Sequence, residues 1–229
     1  EAAEAGATLA VLGEGRGARA TWATELQWIY MAMGRARVGG AKKLISAGHE
    51  HSLVTTGKIG EIWSFGDGQF GKLGHGGDGH EAVPRLIEAL NRVAVKQVAA
   101  GAFHSMVLTS DGDVWTWGYG YHGKLGHGNT DDQNVPKRVE GLTNVTDIAV
   151  GDAHSMAVGE GGAVYTWGYN YYGQLGLGDH GEGTDRNVPT EVPGVNEVAA
   201  GATGPCHSLV LSRDGTVMTC GDNAYGQLG

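Results

Sequence analysis

Cysteine occurs twice in the 229 residues, proline five times and phenylalanine three times. Two cysteines, Cys206 and Cys220, cannot build the dense disulfide framework of a small secreted module, so a reducing compartment, cytoplasmic or nuclear, is the expected address. The scarcity of proline argues against a proline-rich disordered chain. Positive charge is also short, with 16 Lys and Arg against 25 Asp and Glu and a net charge of -9. That balance argues against direct nucleic-acid binding and favours basic protein partners. Long apolar runs are missing too. The uncharged stretch from Gly161 to Gly178 is interrupted by six glycines, Asn170 and Gln174, and cannot supply the ~20 apolar residues of a membrane helix. The amino terminus has neither the basic start of a signal peptide nor a methionine, which leaves an upstream leader open.

What the chain has in excess is glycine, 42 residues, and with it an internal repeat. Gly48-His49-Glu50-His51-Ser52-Leu53 returns as Gly101-Ala102-Phe103-His104-Ser105-Met106 and as Gly151-Asp152-Ala153-His154-Ser155-Met156, and a stretched copy ends in Cys206-His207-Ser208-Leu209. The histidines are 53, 50 and 53 positions apart. A second marker follows each first one: Ile62-Trp63-Ser64-Phe65-Gly66, Val114-Trp115-Thr116-Trp117-Gly118, Val164-Tyr165-Thr166-Trp167-Gly168 and Val217-Met218-Thr219-Cys220-Gly221. A third is Gly-x-Leu-Gly, at Gly71, Gly123, Gly173 and Gly226, and a Val-Pro pair recurs at Val83, Val135 and Val188.

Short runs rich in Val, Ile, Trp, Tyr and Thr, separated by turn residues, read as strands rather than helices. In the second unit the expected strands are 97–100, 104–109, 114–117 and 137–139. Asp111-Gly112 and Asp214-Gly215 supply the hairpin turns between the second and third strands. Four strands in a unit of ~50 residues is the arithmetic of a propeller blade. The fold class is therefore all-β, with three full four-stranded units and most of a fourth over residues 41–229. Residues 1–40 form an extension, a linker followed by a short helix with Trp22, Leu26, Ile29, Tyr30 and Met33 on one face and Gly34 as its stop.

The Ala-Gly-x-x-His-Ser-Leu, Trp-x-Trp-Gly and Gly-x-Leu-Gly series resembles the regulator of chromosome condensation type repeats, from about Lys42 to the end of the chain. The resemblance implies a seven-bladed propeller, which would need roughly 364 positions at this period. The chain is thus expected to be a piece of a longer propeller, or half of a ring completed by a second copy. Its open blade edge would invite self-association. The resemblance also implies a function. Family members serve as protein-interaction modules, some joined to ubiquitin ligases of the HECT type, and the founding member is a guanine nucleotide exchange factor for a Ran-like small GTPase. The expected role is a non-enzymatic scaffold holding a protein partner, such as a small GTPase or a ubiquitin-pathway component, with the exchange factor as the alternative. The signature Gly-Trp-Arg-His-Thr of the family's plant ultraviolet photoreceptor does not occur here.

Chemical motifs are weighed against the repeat. Gly66 to Gly71 and Gly118 to Gly123 each satisfy Gly-x-Gly-x-x-Gly, but a polar loop follows where dinucleotide binding needs a helix. His51, His104, His154 and His207 recur once per unit, so they are expected as struts bonding to neighbouring backbone rather than as a converging catalytic or metal site. Trp63, Trp117 and Trp167 are expected as repeated core positions. In the hairpin centred on Asp214-Gly215, Cys220 falls nearer Leu209 than Cys206, so no disulfide is expected. No catalytic residue, metal site or cofactor is expected.

Function should lie where the copies differ. Tyr119, Tyr121, Tyr169 and Tyr171 stand where the other copies have Asp67, Gln69, Asp222 and Ala224, which predicts an aromatic partner-binding patch on adjacent blades. Asp131, Asp132, Asp179 and Asp185, together with Glu182, are candidates for steering a basic partner. The bulky residues Phe70, His122, Tyr172 and Tyr225, ahead of each Gly-x-Leu-Gly, are expected to be structural.

Overall fold

The computed structural model describes residues 43–229; the helix expected between Trp22 and Gly34 lies outside the described residues. Fifteen strands build four antiparallel sheets. The first holds β1 (Ile45–Ala47), β2 (His51–Thr55), β3 (Ile62–Gly66) and β4 (Glu81–Leu86). The second holds β5 (Val95–Ala100), β6 (His104–Thr109), β7 (Val114–Gly118) and β8 (Gln133–Arg138). The third holds β9 (Val145–Val150), β10 (His154–Gly159), β11 (Val164–Gly168) and β12 (Arg186–Glu191). The fourth has three strands, β13 (Val198–Thr203), β14 (His207–Ser212) and β15 (Val217–Gly221). In each sheet neighbouring strands are consecutive in sequence, the meander of a propeller blade.

The hairpins behave as the repeat requires. Gly112 turns the β6–β7 connection at φ 84° and Gly215 the β14–β15 connection at φ 91°, a backbone region that costs glycine little. The fourth strand of the second blade begins earlier than expected, so that the strand expected over 137–139 is β8 at Gln133–Arg138. This strand is outermost and pairs only with β7 in its own sheet. An edge tolerates Pro136, whose missing N–H needs no ladder partner there, and a register shift between Thr116 and Gly118 absorbs the irregularity.

Blades pack face to face, so central strands are buried on both sides. All six residues of β6 and of β10 are buried. Period-two alternation then assigns each side chain to one neighbour. Val107 and Trp117 join Leu53 and Ile62 in the core between the first two blades, while Met106, Leu108 and Val114 join Ile148, Ala157 and Trp167 in the next. Met156, Val158 and Val164 pack with Val198 and Val210 between the third and fourth. Apolar burial of this kind, at roughly 25 cal/mol per Å², is what holds one blade to the next.

One expectation changes here. Trp63 is not a counterpart of Trp117 and Trp167: it shares its strand position with Trp115 and Tyr165 and is half-buried, whereas Trp117 and Trp167 are 0% exposed. Their counterpart in the first blade is Phe65, two residues further along β3. Cys220 pairs with Ser208, nearer Leu209 than Cys206 as the hairpin register predicts, and both cysteines are free.

Candidate interaction face

The meander order sends every β1–β2 and β3–β4 type connection to the same end of its blade. These loops, at 48–50, 67–80, 101–103, 119–132, 151–153, 169–185, 204–206 and 222–229, carry ten Asp or Glu and two Lys. Both lysines, Lys72 and Lys124, are buried, so the surface of this end is acidic.

Beneath the loops, adjacent blades are tied by one repeated hydrogen-bond chain. His51 Nε2 meets Ser105 Oγ at 2.8 Å, His104 Nε2 meets Ser155 Oγ at 2.8 Å, and His154 Nε2 meets Ser208 Oγ at 2.9 Å. Each serine donates its only proton to a backbone carbonyl, that of Lys72, Lys124 or Gln174, at 2.7, 2.8 and 2.8 Å. The imidazole Nε2–H must therefore be the donor, and Nδ1 carries the lone pair. The histidines thus reach the next blade's serine rather than backbone directly, and the serine passes the bond to the carbonyl. Burial pushes His51 and His154 down to about 4 and His104 well below its ordinary value, so the rings are neutral. Nδ1 of each is buried without a hydrogen-bond partner. His207 is only half-buried. No hydroxyl here is free to attack a substrate, because each is committed to a carbonyl.

Above these ties the aromatic residues of four loops on three blades form one ladder. Phe70 from the first blade stacks on Tyr119 of the second with centroids 4.3 Å apart, and Phe103 meets both edge-on at 6.3 and 6.2 Å. Tyr119 stacks with Tyr121 at 5.9 Å, Tyr121 meets His122 at 4.1 Å, and His122 crosses to Tyr169 of the third blade at 4.3 Å. Tyr169 lies parallel to Tyr171 at 6.2 Å, and Tyr172 closes against both. The four predicted tyrosines are therefore brought together. What sequence reasoning missed is that Phe70, His122 and Tyr172, assigned to structure, are rungs of the same surface. Phe70 and His122 take φ 62° and 64°, a left-handed conformation rare outside glycine, and both rings lie against the tyrosine of the following blade. Their bulk at a turn position, where glycine or asparagine is usual, was the available signal. Tyr121, Tyr171 and Tyr172 remain 54%, 45% and 45% exposed. Tyr225 stands apart, exposed at the end of the fourth blade.

The acidic residues divide into fasteners and free charges. Asp132 accepts from the Gly120 N–H at 2.8 Å, and Asp185 accepts from Asn170 N–H at 2.9 Å while meeting His122 Nδ1 at 2.6 Å. Asp179 binds Arg186 at 2.5 Å, and that bond holds its carboxyl below the usual range. Asp131 is exposed, bonded only by nearby Asn129, and Glu182 is exposed beside Gly181, whose N–H bonds Tyr171 O at 3.0 Å. Lys72 is paired with Asp67, whereas Lys124, one blade on, faces Tyr119 in the place of that aspartate. Its Nζ lies 4.6 Å from the Tyr119 centroid and 5.6 Å from that of Phe103. Burial pushes Lys124 down to about 8, against the pull of Asp132 and Asp152. The Gly-x-Gly-x-x-Gly strings end in single 3-10 turns at Gln69–Gly71 and Tyr121–Gly123, with no helix N-terminus to meet a phosphate.

Comparison with known proteins places this architecture. The model of the RCC1-like domain family matches residues 15–229, and so begins within the segment read as an extension. The chain is 39% identical over 191 residues to the human E3 ubiquitin-protein ligase HERC2, covering 81% of this chain and 4% of that protein. It is 37% identical over 187 residues to the Arabidopsis thaliana ultraviolet-B receptor UVR8, covering 81% of this chain and 42% of the receptor. Among solved structures, Prp20p of Saccharomyces cerevisiae, described with its binding properties to Gsp1p and histones, superposes with a TM-score of 0.69 at 26% identity over 81% of this chain and 44% of its own. The chain thus spans less than half the length of these relatives, and on its repeats, its blades and the family match it belongs to the RCC1-like domain family of β-propellers.

Proposed function

We propose that this chain is a non-enzymatic interaction module that holds a protein partner on the loop end of its blades. The observation that carries the reading is the aromatic ladder running from Phe70 to Tyr172 across three blades. Stacked rings offer large contact area at low conformational cost, the chemistry enriched at protein interfaces. The buried His–Ser–carbonyl ties beneath keep the platform rigid, so that a partner meets a pre-formed surface. The repeated serines Ser105, Ser155 and Ser208 donate to carbonyls and are not poised as nucleophiles.

The second reading is a guanine nucleotide exchange factor for a Ran-like small GTPase. It draws on the likeness to Prp20p, whose binding to Gsp1p and histones is a property of that protein. One experiment separates the two. The chain is mixed with a Ran-like GTPase carrying fluorescent nucleotide, and release and binding are followed together. Binding without faster release, weakened at least tenfold by Tyr121→Ala with Tyr171→Ala, is the expected result for a module. Stimulated release supports exchange, and partner binding that ignores both tyrosines overturns the use of this face.

A further inference from the structure

The loop end has two properties that bear jointly on the chemistry of its ligand. Its exposed rings, Tyr121 and Tyr171, stand on loops whose backbone is approached by a segment carrying an exposed carboxylate, Asp131 or Glu182, that no Lys or Arg among the described residues pairs with. The backbone of Asp131 runs against Gly120, the residue between Tyr119 and Tyr121, so closely that a Cβ added to the glycine would fall 2.0 Å from the Asp131 carbonyl oxygen. Glu182 follows Gly181, which is bonded to the Tyr171 backbone. The carboxylates already consumed internally, Asp67 by Lys72, Asp179 by Arg186 and Asp185 by His122, are distinct from these two. The ladder also accepts a cation from within. Lys124 lies over the Tyr119 ring at 4.6 Å without a salt bridge among the described residues, although the equivalent lysine one blade earlier has its aspartate.

Ten acidic residues against two buried lysines give the end a single sign, which excludes acidic and phosphorylated ligands and attracts basic ones. Between the two basic side chains, the rings discriminate. Guanidinium is planar, weakly hydrated and stacks on aromatic faces, whereas the ammonium of lysine is compact and strongly hydrated. Resting on the reading of this face as an interaction surface, we propose that its occupant is an arginine-bearing basic segment of a protein partner, with guanidinium groups on the exposed rings of Tyr121 and Tyr171 and their charge met by Asp131 and Glu182.

The test uses the full chain and two fluorescent peptides of equal length and charge, one alternating Arg with Gly and the other Lys with Gly. Anisotropy titration is expected to give the arginine peptide at least fivefold tighter binding, since the planar, weakly hydrated guanidinium stacks on both exposed rings and the strongly hydrated ammonium does not. Tyr121→Ala with Tyr171→Ala, both at exposed positions, should remove that preference while leaving weak, salt-sensitive binding of both peptides. Asp131→Asn with Glu182→Gln should weaken both peptides alike and flatten their salt dependence. Equal affinity for the two peptides overturns the proposal, as does an arginine preference that survives loss of the tyrosines. If neither peptide binds but the tyrosine pair still abolishes capture of a protein partner, the arginine chemistry fails and the interaction module stands. If capture ignores the tyrosines, both fail. Self-association that the tyrosine pair abolishes makes a second copy the occupant and also overturns the proposal.

Discussion

At the scale of single residues, the histidines of the first three repeats are held neutral at a mildly acidic pH where a histidine in water would be protonated. His104 and His154 are 0% exposed and His51 is 3% exposed, and each spends its one N–H on the neighbouring blade's serine. Protonation would place a second proton on an Nδ1 that has no acceptor. The native values lie below the unfolded value near 6.5, so stability is complete above that pH. It falls as pH drops, because the unfolded chain then binds protons the folded chain refuses. At pH 5, with native values of about 4, each of His51 and His154 removes up to about 2 kcal/mol. Thermal melts between pH 8 and 5 should show the midpoint falling steeply below pH 6.5, and His104→Gln should lower the midpoint at pH 8 but shallow its decline. A midpoint flat from pH 7 to 5 would contradict the neutral, buried assignment. Sequence made the recurrence of these histidines plain but not their partners. His104 and Ser105 are neighbours in the chain, yet the bond joins His51 to Ser105, one full period apart. Adjacent strand positions face opposite ways, so only the stacking of blades could reveal which serine each ring meets.

Within elements, the loops after β3 and β7 illustrate a local conflict resolved by a neighbour. Phe70 at φ 62° and His122 at φ 64° sit where glycine would be easier, a strain of order 1 kcal/mol. Each is offset by a ring contact across the blade boundary, Phe70 on Tyr119 and His122 on Tyr169, a pairing worth ~0.5–1.5 kcal/mol. Two substitutions at position 70 therefore separate the terms. Phe70→Gly loses the ring but relieves the backbone, and should leave the urea midpoint nearly unchanged. Phe70→Ala loses the ring and keeps the strain, and should cost about 1–2 kcal/mol more than glycine. Equal loss in both variants would remove the backbone from the account. The strands themselves were legible because β-branched and aromatic residues alternate between glycine-rich turns. The outer strand, expected over 137–139, begins four residues earlier, because an edge position makes Pro136 an ordinary member of β8. The tyrosine cluster was legible as a difference between copies, whereas Phe70 and His122 were hidden by being bulky in every copy.

For the molecule as a whole, the central strands of each blade pack against the next blade in sequence, β2 with β5, β6 with β9 and β10 with β13, and one longer link runs from Lys43, ahead of β1, to Asp147 and Ile148 of β9. Stability in such an array approximates a sum of blade terms and junction terms, and each junction here contains one apolar cluster and one His–Ser–carbonyl tie. The period in the sequence disclosed the blades. It could not disclose that loops far apart along the chain would gather ten carboxylates at one end, since that follows from meander order alone. The two central blades each share two junctions, and the first and fourth share one apiece among the described residues. β15 is further weakened, with every residue at least partly exposed, against the fully buried β6 and β10. Amide exchange at neutral pH should accordingly be slowest in β6 and β10 and fastest in β15, in rank order with the junctions each strand serves. Ser155→Ala strips the tie between the second and third blades, leaving His104 N–H and the Lys124 carbonyl unpaired at a cost of about 2–3 kcal/mol. It should accelerate exchange in β6 and β10 together, whereas Ser208→Ala should act on the fourth blade with little effect on β6. If Ser208→Ala instead speeds exchange equally in all four sheets, the described blades open as one cooperative body and the junction-by-junction account fails.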